Sequence, residues 1–325
     1  MKKVLGIGNA LVDLLVKIDN DEILDKLDLP KGSMTLIESD GLNTIKNEVR
    51  NFATKKVTGG SVGNTINGLA ALGISTGYIG KVGKGNSGHF FEKEMRQNGV
   101  DTILLKSETP TGRAFALVSI DGERTFGTYL GAAIEMTAAD LKPEYYEDAD
   151  IFYAEGYLVQ NHELIEQAMK MAKDAGLLVA IDMASYNVIE ANKAFMKHLL
   201  DEYVDIVFAN EEEALAFCEI DDAYEAVDRL AESTSIAVVK IGANGSLVKS
   251  GDQLYRAGIY GNNAVDKTGA GDSYAAGFFY GLIHDYDLGK CARIGAYIAD
   301  HVIATTGAKL SRDVWKRILK DIETL

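Results

Sequence analysis

The chain has 325 residues, of which 47% are hydrophobic and 25% charged, so it suits one large α/β domain and does not fit a disordered or fibrous protein. Its 33 Lys and Arg against 48 Asp and Glu give a formal net charge of −15, which disfavours non-specific binding to nucleic acid or anionic membranes. An anionic substrate must therefore be held by local backbone N–H groups or cations. The two cysteines, Cys218 and Cys291, rule out a disulfide scaffold. The five scattered histidines form no metal-binding motif.

The first predicted element is a β-strand within residues 1–9. Asn9 and Asp13 interrupt the apolar run before a signal-peptide core develops, and no window holds the roughly 18 apolar residues of a membrane span. We therefore expect a cytoplasmic protein. Leu11 stands where a dinucleotide-binding fingerprint needs its third glycine, so a dehydrogenase is rejected. Asn9 and Asp13 are interpreted as ligand-facing groups at the strand's carboxyl end, with strand-end capping as the alternative.

A glycine pair, Gly59 and Gly60, precedes the next predicted helix. Glycine lets the backbone approach a ligand closely, and Asn64, one turn into the helix, carries an amide suited to sugar hydroxyls. A plain loop connection is the alternative for this segment.

Two stretches, residues 10–45 and 100–131, depart from the surrounding pattern because they contain alternating β-like segments. Asp121 and Gly122 separate two such runs, which predicts a hairpin. We expect the two stretches to pair into a small sheet that acts as a lid. Extension of the main sheet is the alternative.

The middle of the chain alternates apolar runs with stretches of helix length. The runs lack period-two polarity, as expected for parallel strands covered on both faces, so crossover helices should lie between them. The predicted strands are 150–154, 177–182, 204–209 and 236–241. The predicted helices of this region and of the last third of the chain are 161–175, 187–201, 270–283, 288–305 and 311–323.

Polar residues follow two of these strands. Asn210 and Glu213 open a helix, where they are suited to hold Mg²⁺ through water, with support of the helix dipole as the alternative. Lys240, Gly242 and Gly245 form a strand-to-turn segment able to approach a nucleotide, with a simple hairpin turn as the alternative.

The densest motif is Asp-Lys-Thr-Gly-Ala-Gly-Asp at residues 266–272, followed by an apolar, small-residue helix. The backbone of Gly269, Ala270 and Gly271 can aim its N–H groups outward at the helix N-terminus, which makes an anion site. Asp272 would lie beside a bound phosphate, placed to orient or deprotonate an attacking hydroxyl. Helix capping by Asp272 is the alternative.

Together these motifs resemble the PfkB, or ribokinase-like, family of carbohydrate and nucleoside kinases. The matching residues are Gly59, Gly60, Asn64, Gly73 and Gly83 in the first motif and Asp266, Gly269, Ala270, Gly271, Asp272, Ala276 and Gly277 in the second. The resemblance implies one α/β domain over residues 1–325, a ribokinase-like α/β/α sandwich with a mainly parallel central sheet and a small β-sheet lid. It also implies ATP and Mg²⁺ as cosubstrates and γ-phosphoryl transfer to a primary hydroxyl. The segments 8–13, 59–64, 129–132 and 154–157 look most like the adenosine-kinase-like branch, so the expected substrate is a sugar or ribonucleoside.

Carried over residue by residue, the resemblance makes Asp272 the catalytic base and residues 269–271 the anion hole. It places the acceptor at Asn9, Asp13, Gly59, Gly60 and Asn64, and it places Asn210 and Glu213 near Mg²⁺ and phosphate. Arg124, on the predicted lid, is expected to close over the acceptor.

The resemblance also suggests a monovalent-cation site. The loop that begins at Asp266 and the segment 305–308 match places where relatives hold such a cation through backbone carbonyls, so modest K⁺ activation is expected. A catalytically silent sugar or nucleoside sensor is the alternative function. The chain is expected to act as a monomer or homodimer.

Overall fold

The computed structural model describes residues 2–261, 264–305 and 307–325. The strands of this part of the chain form a nine-stranded sheet and a five-stranded sheet. In chain order the strands are β1 (Lys3–Ile7), β2 (Leu11–Lys17), β3 (Met34–Leu36), β4 (Thr54–Gly59), β5 (Ser75–Gly83), β6 (Val100–Ser107), β7 (Thr111–Val118), β8 (Arg124–Gly131), β9 (Ile151–Glu155), β10 (Leu178–Asp182), β11 (Ile206–Asn210), β12 (Ile236–Lys240), β13 (Ser246–Ser250) and β14 (Gln253–Ala257).

The helices are α1 (Glu22–Lys26), α2 (Ser39–Val49), α3 (Ser61–Ala71), α4 (Asn86–Gln97), α5 (His162–Asp174), α6 (Tyr186–Glu202), α7 (Glu211–Cys218), α8 (Ala223–Ser233), α9 (Ala270–Ile283), α10 (Leu288–Ile303) and α11 (Arg312–Ile322). Short 3-10 turns span Ala132–Glu135, Ala138–Asp140, Pro143–Tyr145, Gly156–Gln160 and Gly242–Asn244. None of these helices is long and apolar enough to cross a membrane.

The larger sheet has the order β14-β13-β12-β11-β10-β9-β1-β5-β6. Its strands are parallel except where β13 pairs with β12 and β14. Successive residues of β9 enter opposite layers: Phe152 and Ala154 pack with α5 to α8, whereas Ile151 and Tyr153 pack with α3, α4, α9 and α10. This burial on both faces explains the unbroken apolar runs of the central strands. The predicted α/β/α sandwich with a mainly parallel sheet is confirmed.

The smaller sheet has the order β3-β8-β7-β2-β4. Its apolar side chains, including Val16, Phe115 and Leu117, pack under α1 and α2. The hairpin predicted at Asp121 and Gly122 is confirmed, since β7 and β8 pair antiparallel on either side of it.

The strand content of the smaller sheet differs from the predicted segments. Residues 100–107 form β6, which pairs with β5 at the edge of the larger sheet, so the alternative of main-sheet extension holds for this part. Strand β4, outside both predicted segments, pairs with β2 in the smaller sheet. The polar Lys55 and Lys56 of β4 give it the composition of an edge strand rather than of an apolar run.

Candidate active site

The start of helix α9 forms the centre of the candidate site. Gly269 precedes the helix with φ of +77°, a conformation that favours glycine, and a Cβ there would lie 2.4 Å from Cβ of Ala308. The ammonium of Lys240 lies 3.0 Å from the point where Gly271 would carry a Cβ. Uncapped N–H groups, the positive end of the helix dipole and a buried ammonium therefore converge where an anion can bind.

Asp272 lies in the first turn of α9 and faces helix α3. Its Oδ1 accepts a hydrogen bond from Ser61 Oγ at 2.7 Å, and its Oδ2 accepts one from Asn64 Nδ2 at 2.9 Å. Burial raises the pKa of Asp272 to about 6, although the bonds from Asn64 and Ser61 favour the charged form. The carboxylate is thus held at the junction of α3 and the anion-binding end of α9.

The turn before α3 brings together the residues predicted to bind an acceptor. Gly60 has φ of +87°, and a Cβ on it would lie 2.3 Å from the backbone oxygen of Asn9. A side chain at Gly59 would collide with the carboxylate of Asp13. Asn9 follows β1, whereas Asp13 lies within β2 of the smaller sheet, so the prediction that Asp13 ends the first strand was wrong. The two residues nevertheless lie on either side of the glycine turn.

A buried ion pair lies beside the start of α9. Lys240 Nζ is 3.0 Å from Asp182 Oδ2, and both side chains are largely buried. Burial disfavours the ammonium form of Lys240, but the attraction of Asp182 and Glu213 outweighs this cost, and the net direction of its pKa is upward. The lysine is therefore charged at neutral pH.

Asn210 and Glu213 form a capping box at the start of α7. The backbone N–H of Asn210 donates to Glu213 Oε2 and its Nδ2 donates to Oε1, both at 2.7 Å, while Glu213 N–H donates to Asn210 Oδ1 at 2.8 Å. Burial and then the nearby Asp182 raise the pKa of Glu213 to about 7. Acidic residues in the first turn of α7 agree with the helix-dipole alternative, and the capping box, which was not predicted, leaves the Glu213 carboxylate close to Lys240.

Gly242 and Gly245 lie in the tight connection between β12 and β13. The two strands pair antiparallel on either side of the turn Gly242–Asn244, so the hairpin alternative is observed here. A Cβ on Gly245 would collide with the backbone oxygen of Ala257 at the end of β14, so this turn needs a glycine. Neither glycine makes a contact that itself points to a nucleotide.

Arg124 connects the smaller sheet to the loop before α9. Its guanidinium pairs with the carboxylate of Asp266 through Nη2, and Nη1 donates to Thr268 Oγ1 at 3.3 Å. The Asp266 carboxylate also accepts N–H bonds from Thr268 and Gly307. Arg124 is thus buried in an ion pair with Asp266, and its closure over the acceptor stays a prediction.

Several residues at the site were not singled out from the sequence. Ser61 bonds to Asp272, Asp182 pairs with Lys240, and Glu155 bonds to Asn9. Glu155 lies in the segment 154–157 that carries part of the resemblance, and it is an acidic residue that ends an otherwise apolar strand, but neither signal indicated its contact with Asn9. Lys309 contacts Thr58, and its position on a loop gave no signal at all.

Burial controls the ionisation of the acceptor side of the site. It raises the pKa of Asp13 to about 7, with Lys309 acting in the opposite direction and Asp272 adding to the rise. It lowers the pKa of Lys309 to about 8, while Asp13 opposes that change. At neutral pH the carboxyl of Asp13 is therefore only partly ionised, whereas Lys309 is still mostly protonated.

Comparison with known proteins finds similarity to sugar and adenosine kinases, both by sequence and by structure. The sequence model of the pfkB family of carbohydrate kinases matches residues 32–315. The chain is 30% identical to the 5-dehydro-2-deoxygluconokinase of Geobacillus thermodenitrificans, over 77% of this chain and 79% of that protein. Among solved structures, the probable sugar kinase from Rhizobium etli has a TM-score of 0.91 and 31% identity, covering 100% of this chain and 99% of the other. The adenosine kinase from Sinorhizobium meliloti has a TM-score of 0.88 and 33% identity, covering 97% and 98%.

Proposed function

The chain belongs to the pfkB family of carbohydrate kinases, and from this premise we propose that it transfers the γ-phosphoryl group of ATP to the primary hydroxyl of a ribonucleoside such as adenosine. Family membership makes it a phosphotransferase that acts on an alcohol group of a sugar or nucleoside and uses ATP, generally with Mg²⁺. The observation that carries the finer proposal is the position of Asp272, at the junction of α3 and α9.

Asp272 is proposed to act as the general base. Phosphoryl transfer passes through a loose transition state, so the acceptor hydroxyl loses its proton late and the base need not match the pKa of an alcohol. With a pKa of about 6, the carboxylate is mostly ionised at neutral pH. Ser61 and Asn64 hold its two oxygens, which restricts the direction from which it can accept a proton.

The start of α9 is proposed as the anion hole for the transferred group. The N–H groups of residues 269–271 and the ammonium of Lys240 supply local positive charge that the chain as a whole lacks. Gly269 packs without a side chain against Ala308, and Gly271 brings the backbone of α9 close to the ammonium of Lys240, so these residues fit the phosphates of ATP. Gly242 and Gly245 are proposed to border the nucleotide next to Lys240.

Asn210 and Glu213 are proposed to hold Mg²⁺ through water. Within the described ranges no group of three or more His, Cys, Asp and Glu is arranged as a metal cage. Mg²⁺ does not require one, because it keeps several waters and takes oxygen ligands from substrate phosphates. Glu213 lies near Asp182 and near Lys240, whose ammonium is next to the start of α9. Bound there, Mg²⁺ would neutralise charge on the phosphates.

The acceptor is proposed to bind at Asn9, Asp13, Gly59, Gly60 and Asn64. Amide and carboxylate groups on both sides of a glycine turn suit vicinal hydroxyls, which both donate and accept hydrogen bonds. A ribonucleoside leads because the Sinorhizobium meliloti adenosine kinase is 33% identical over 97% of this chain. The alternative of a catalytically silent sensor is disfavoured, since the family and its named relatives are kinases and Asp272 is present.

A sugar acid is the second candidate acceptor. The Lys309 ammonium lies close enough to Asp13 to couple with it, and it would offer a cation to a substrate carboxylate. A relative that is 30% identical carries the name 5-dehydro-2-deoxygluconokinase.

The deciding experiment measures ADP release with ATP, Mg²⁺ and a panel of acceptors. Adenosine should exceed 2′-deoxyadenosine by about tenfold or more in kcat/KM, because a missing hydroxyl leaves buried polar groups unpaired. The control 5′-deoxyadenosine, which lacks the reacting hydroxyl, should give no ADP above the ATP background. Equal turnover of the ribo and 2′-deoxy compounds would contradict the proposed contacts, and turnover of a sugar acid alone would establish the second candidate.

We also propose a monovalent-cation site in the loop that begins at Asp266. The carboxylate of Asp266 is occupied by Arg124, Thr268 and Gly307, so cation ligands would come from backbone carbonyls. Thr306, in the second predicted segment, lies outside the described residues. K⁺ should raise turnover modestly relative to tetramethylammonium, and identical rates in the two salts would remove the proposal.

A further inference from the structure

Glu155 lies between the turn that follows β1 and the start of α3. It ends strand β9 and is 2% exposed. Its Oε1 accepts a hydrogen bond from Asn9 Nδ2 at 2.6 Å, and its Oε2 lies 3.4 Å from the backbone N of Val62. A Cβ on Gly8 would come within 2.5 Å of Oε2, so the glycine leaves the space that the carboxylate occupies.

The carboxylate substitutes for a missing cap on α3. Gly60, the residue before the helix, has no side chain to bond the free N–H groups of the first turn. A negative charge at this end is also favoured by the helix dipole. The turn that Glu155 contacts carries Ser61 and Asn64, which both donate to Asp272. One buried side chain thus contacts both the Asn9 turn and the helix start that holds the proposed base.

The contact also fixes the orientation of the Asn9 side chain. An amide is planar and has a donor side and an acceptor side. When Nδ2 donates to Glu155, the Asn9 carbonyl oxygen faces away from the carboxylate, and it remains able to accept a bond from a hydroxyl. Without Glu155 the amide would lose the partner that distinguishes these two orientations.

We propose that Glu155 is a positioning residue for acceptor recognition, which orients the amide of Asn9 without touching the acceptor itself. The inference rests on the proposed role of Asn9 in acceptor binding. A purely structural role for Glu155 would be different, because the proposed role requires that substitution of Glu155 affect acceptor binding through Asn9.

The test is a double-mutant cycle between Glu155→Gln and Asn9→Ala. A glutamine cannot accept from both Asn9 Nδ2 and Val62 N–H through two oxygens, because one of its terminal groups is itself a donor. Glu155→Gln should raise the acceptor KM about tenfold, the size expected for losing a hydrogen bond to a charged group, while the ATP KM stays within about twofold. In the Asn9→Ala background the same change should raise the acceptor KM by less than about twofold.

Tyr78→Phe is the matched control. The Tyr78 hydroxyl is buried and near Glu155, and among the described residues it has no hydrogen-bond partner. Its removal should leave the acceptor KM unchanged. If Glu155→Gln fails to fold, Glu155→Asp keeps the charge with a shorter reach and should show the same dependence on Asn9.

The outcomes separate the inference from the proposed function. If Asn9→Ala leaves the acceptor KM unchanged, the proposed acceptor site is wrong and the inference fails with it. If Asn9→Ala raises the acceptor KM but the two substitutions act independently, the inference is wrong while the proposed function stands. Equal effects of Glu155→Gln on the KM of acceptor and of ATP would also overturn it, because they would indicate a general structural role.

Discussion

Individual carboxyl groups at this site are buried, and each is matched by a nearby donor or cation. Asp272 bonds to Ser61 and Asn64, and Glu155 bonds to Asn9. In an anionic chain that must bind polyphosphate, such pairing keeps acidic residues available for proton transfer while limiting repulsion of the substrate.

The first residue-scale prediction concerns Asp272→Asn. The change removes the proton acceptor but keeps the side-chain size, so turnover should fall by about 10²- to 10⁴-fold while ATP and acceptor affinities stay nearly constant. Turnover is measured by ADP release, and affinities by equilibrium titration of the folded variant.

Asp287→Asn provides the matched control for Asp272→Asn. Asp287 caps α10 by accepting from the backbone N–H of Lys290, and asparagine should serve there almost equally well. Turnover of this control should stay near that of the unmodified protein. A folded Asp272→Asn protein that kept more than about a third of its turnover would refute the role of Asp272 as base.

The sequence identified residues whose signal is local and missed those whose partners are distant. The glycines and Asp272 follow each other within one motif, so their placement at a helix start could be predicted. Glu155 depends on Gly8 and Val62, which lie far away in the chain. Nothing in the sequence around Glu155 indicates that a carboxylate at the end of β9 lies against the turn after β1 and the start of α3.

At the scale of elements, two cationic contacts connect the smaller sheet to the loops around the anion site. Arg124 of β8 pairs with Asp266, and Lys309 contacts Thr58 of β4. Any movement of the smaller sheet as a lid, which remains a prediction, must therefore act on the loops that flank the start of α9. Closure of the smaller sheet over the acceptor would then be coupled to phosphate binding at the start of α9.

The element-scale prediction concerns Arg124→Gln. Removing the guanidinium leaves the buried Asp266 carboxylate without its cation, so the free energy of unfolding should fall by about 3 kcal/mol. Turnover should fall as well, because Asp266 also holds the N–H groups of Thr268 and Gly307 around the anion site. Urea denaturation measures the first effect and ADP release the second.

Lys31→Gln is the control for the loss of a cation. Lys31 pairs with Asp21 and Asp121, but all three side chains are exposed to solvent, so its removal should destabilise the protein far less than Arg124→Gln does. If Arg124→Gln were no more destabilising than Lys31→Gln, the ion pair could not be what connects the smaller sheet to the site.

Prediction of the elements succeeded where burial leaves a repeated pattern in the sequence. Strands β9 to β12 are apolar because helices cover both faces of the sheet. Each of them could therefore be predicted from one unbroken apolar run. Assignment to a sheet failed for β4 and β6, since both are edge strands whose neighbours are set by long-range pairing. Alternation alone does not say which of two sheets an edge strand joins.

At the scale of the whole molecule, the buried acids make stability depend on pH. Burial raises the pKa of the four main acidic groups at the site, to about 7 for Asp13, Glu155 and Glu213 and to about 6 for Asp272. Their ordinary values are 3.8 for Asp and 4.5 for Glu, so between about pH 5 and pH 7 the native state binds more protons than the unfolded state. Stability must then fall as pH rises through this window.

We therefore predict that the free energy of unfolding of the ligand-free protein falls by several kcal/mol between pH 5.5 and pH 8, measured by urea denaturation. Lys309, with its pKa lowered to about 8, is protonated in both states over most of this range and acts in the opposite direction only above it. Repulsion within a chain of net charge −15 would produce the same trend, but about 1 M KCl screens long-range repulsion and leaves local burial unchanged. The fall should therefore persist in high salt. A free energy of unfolding that stayed constant or rose between pH 5.5 and pH 8 would mean that these acids are already ionised in the native state at pH 5.5. The proposed phosphate site would then have to bind its anion against their full negative charge.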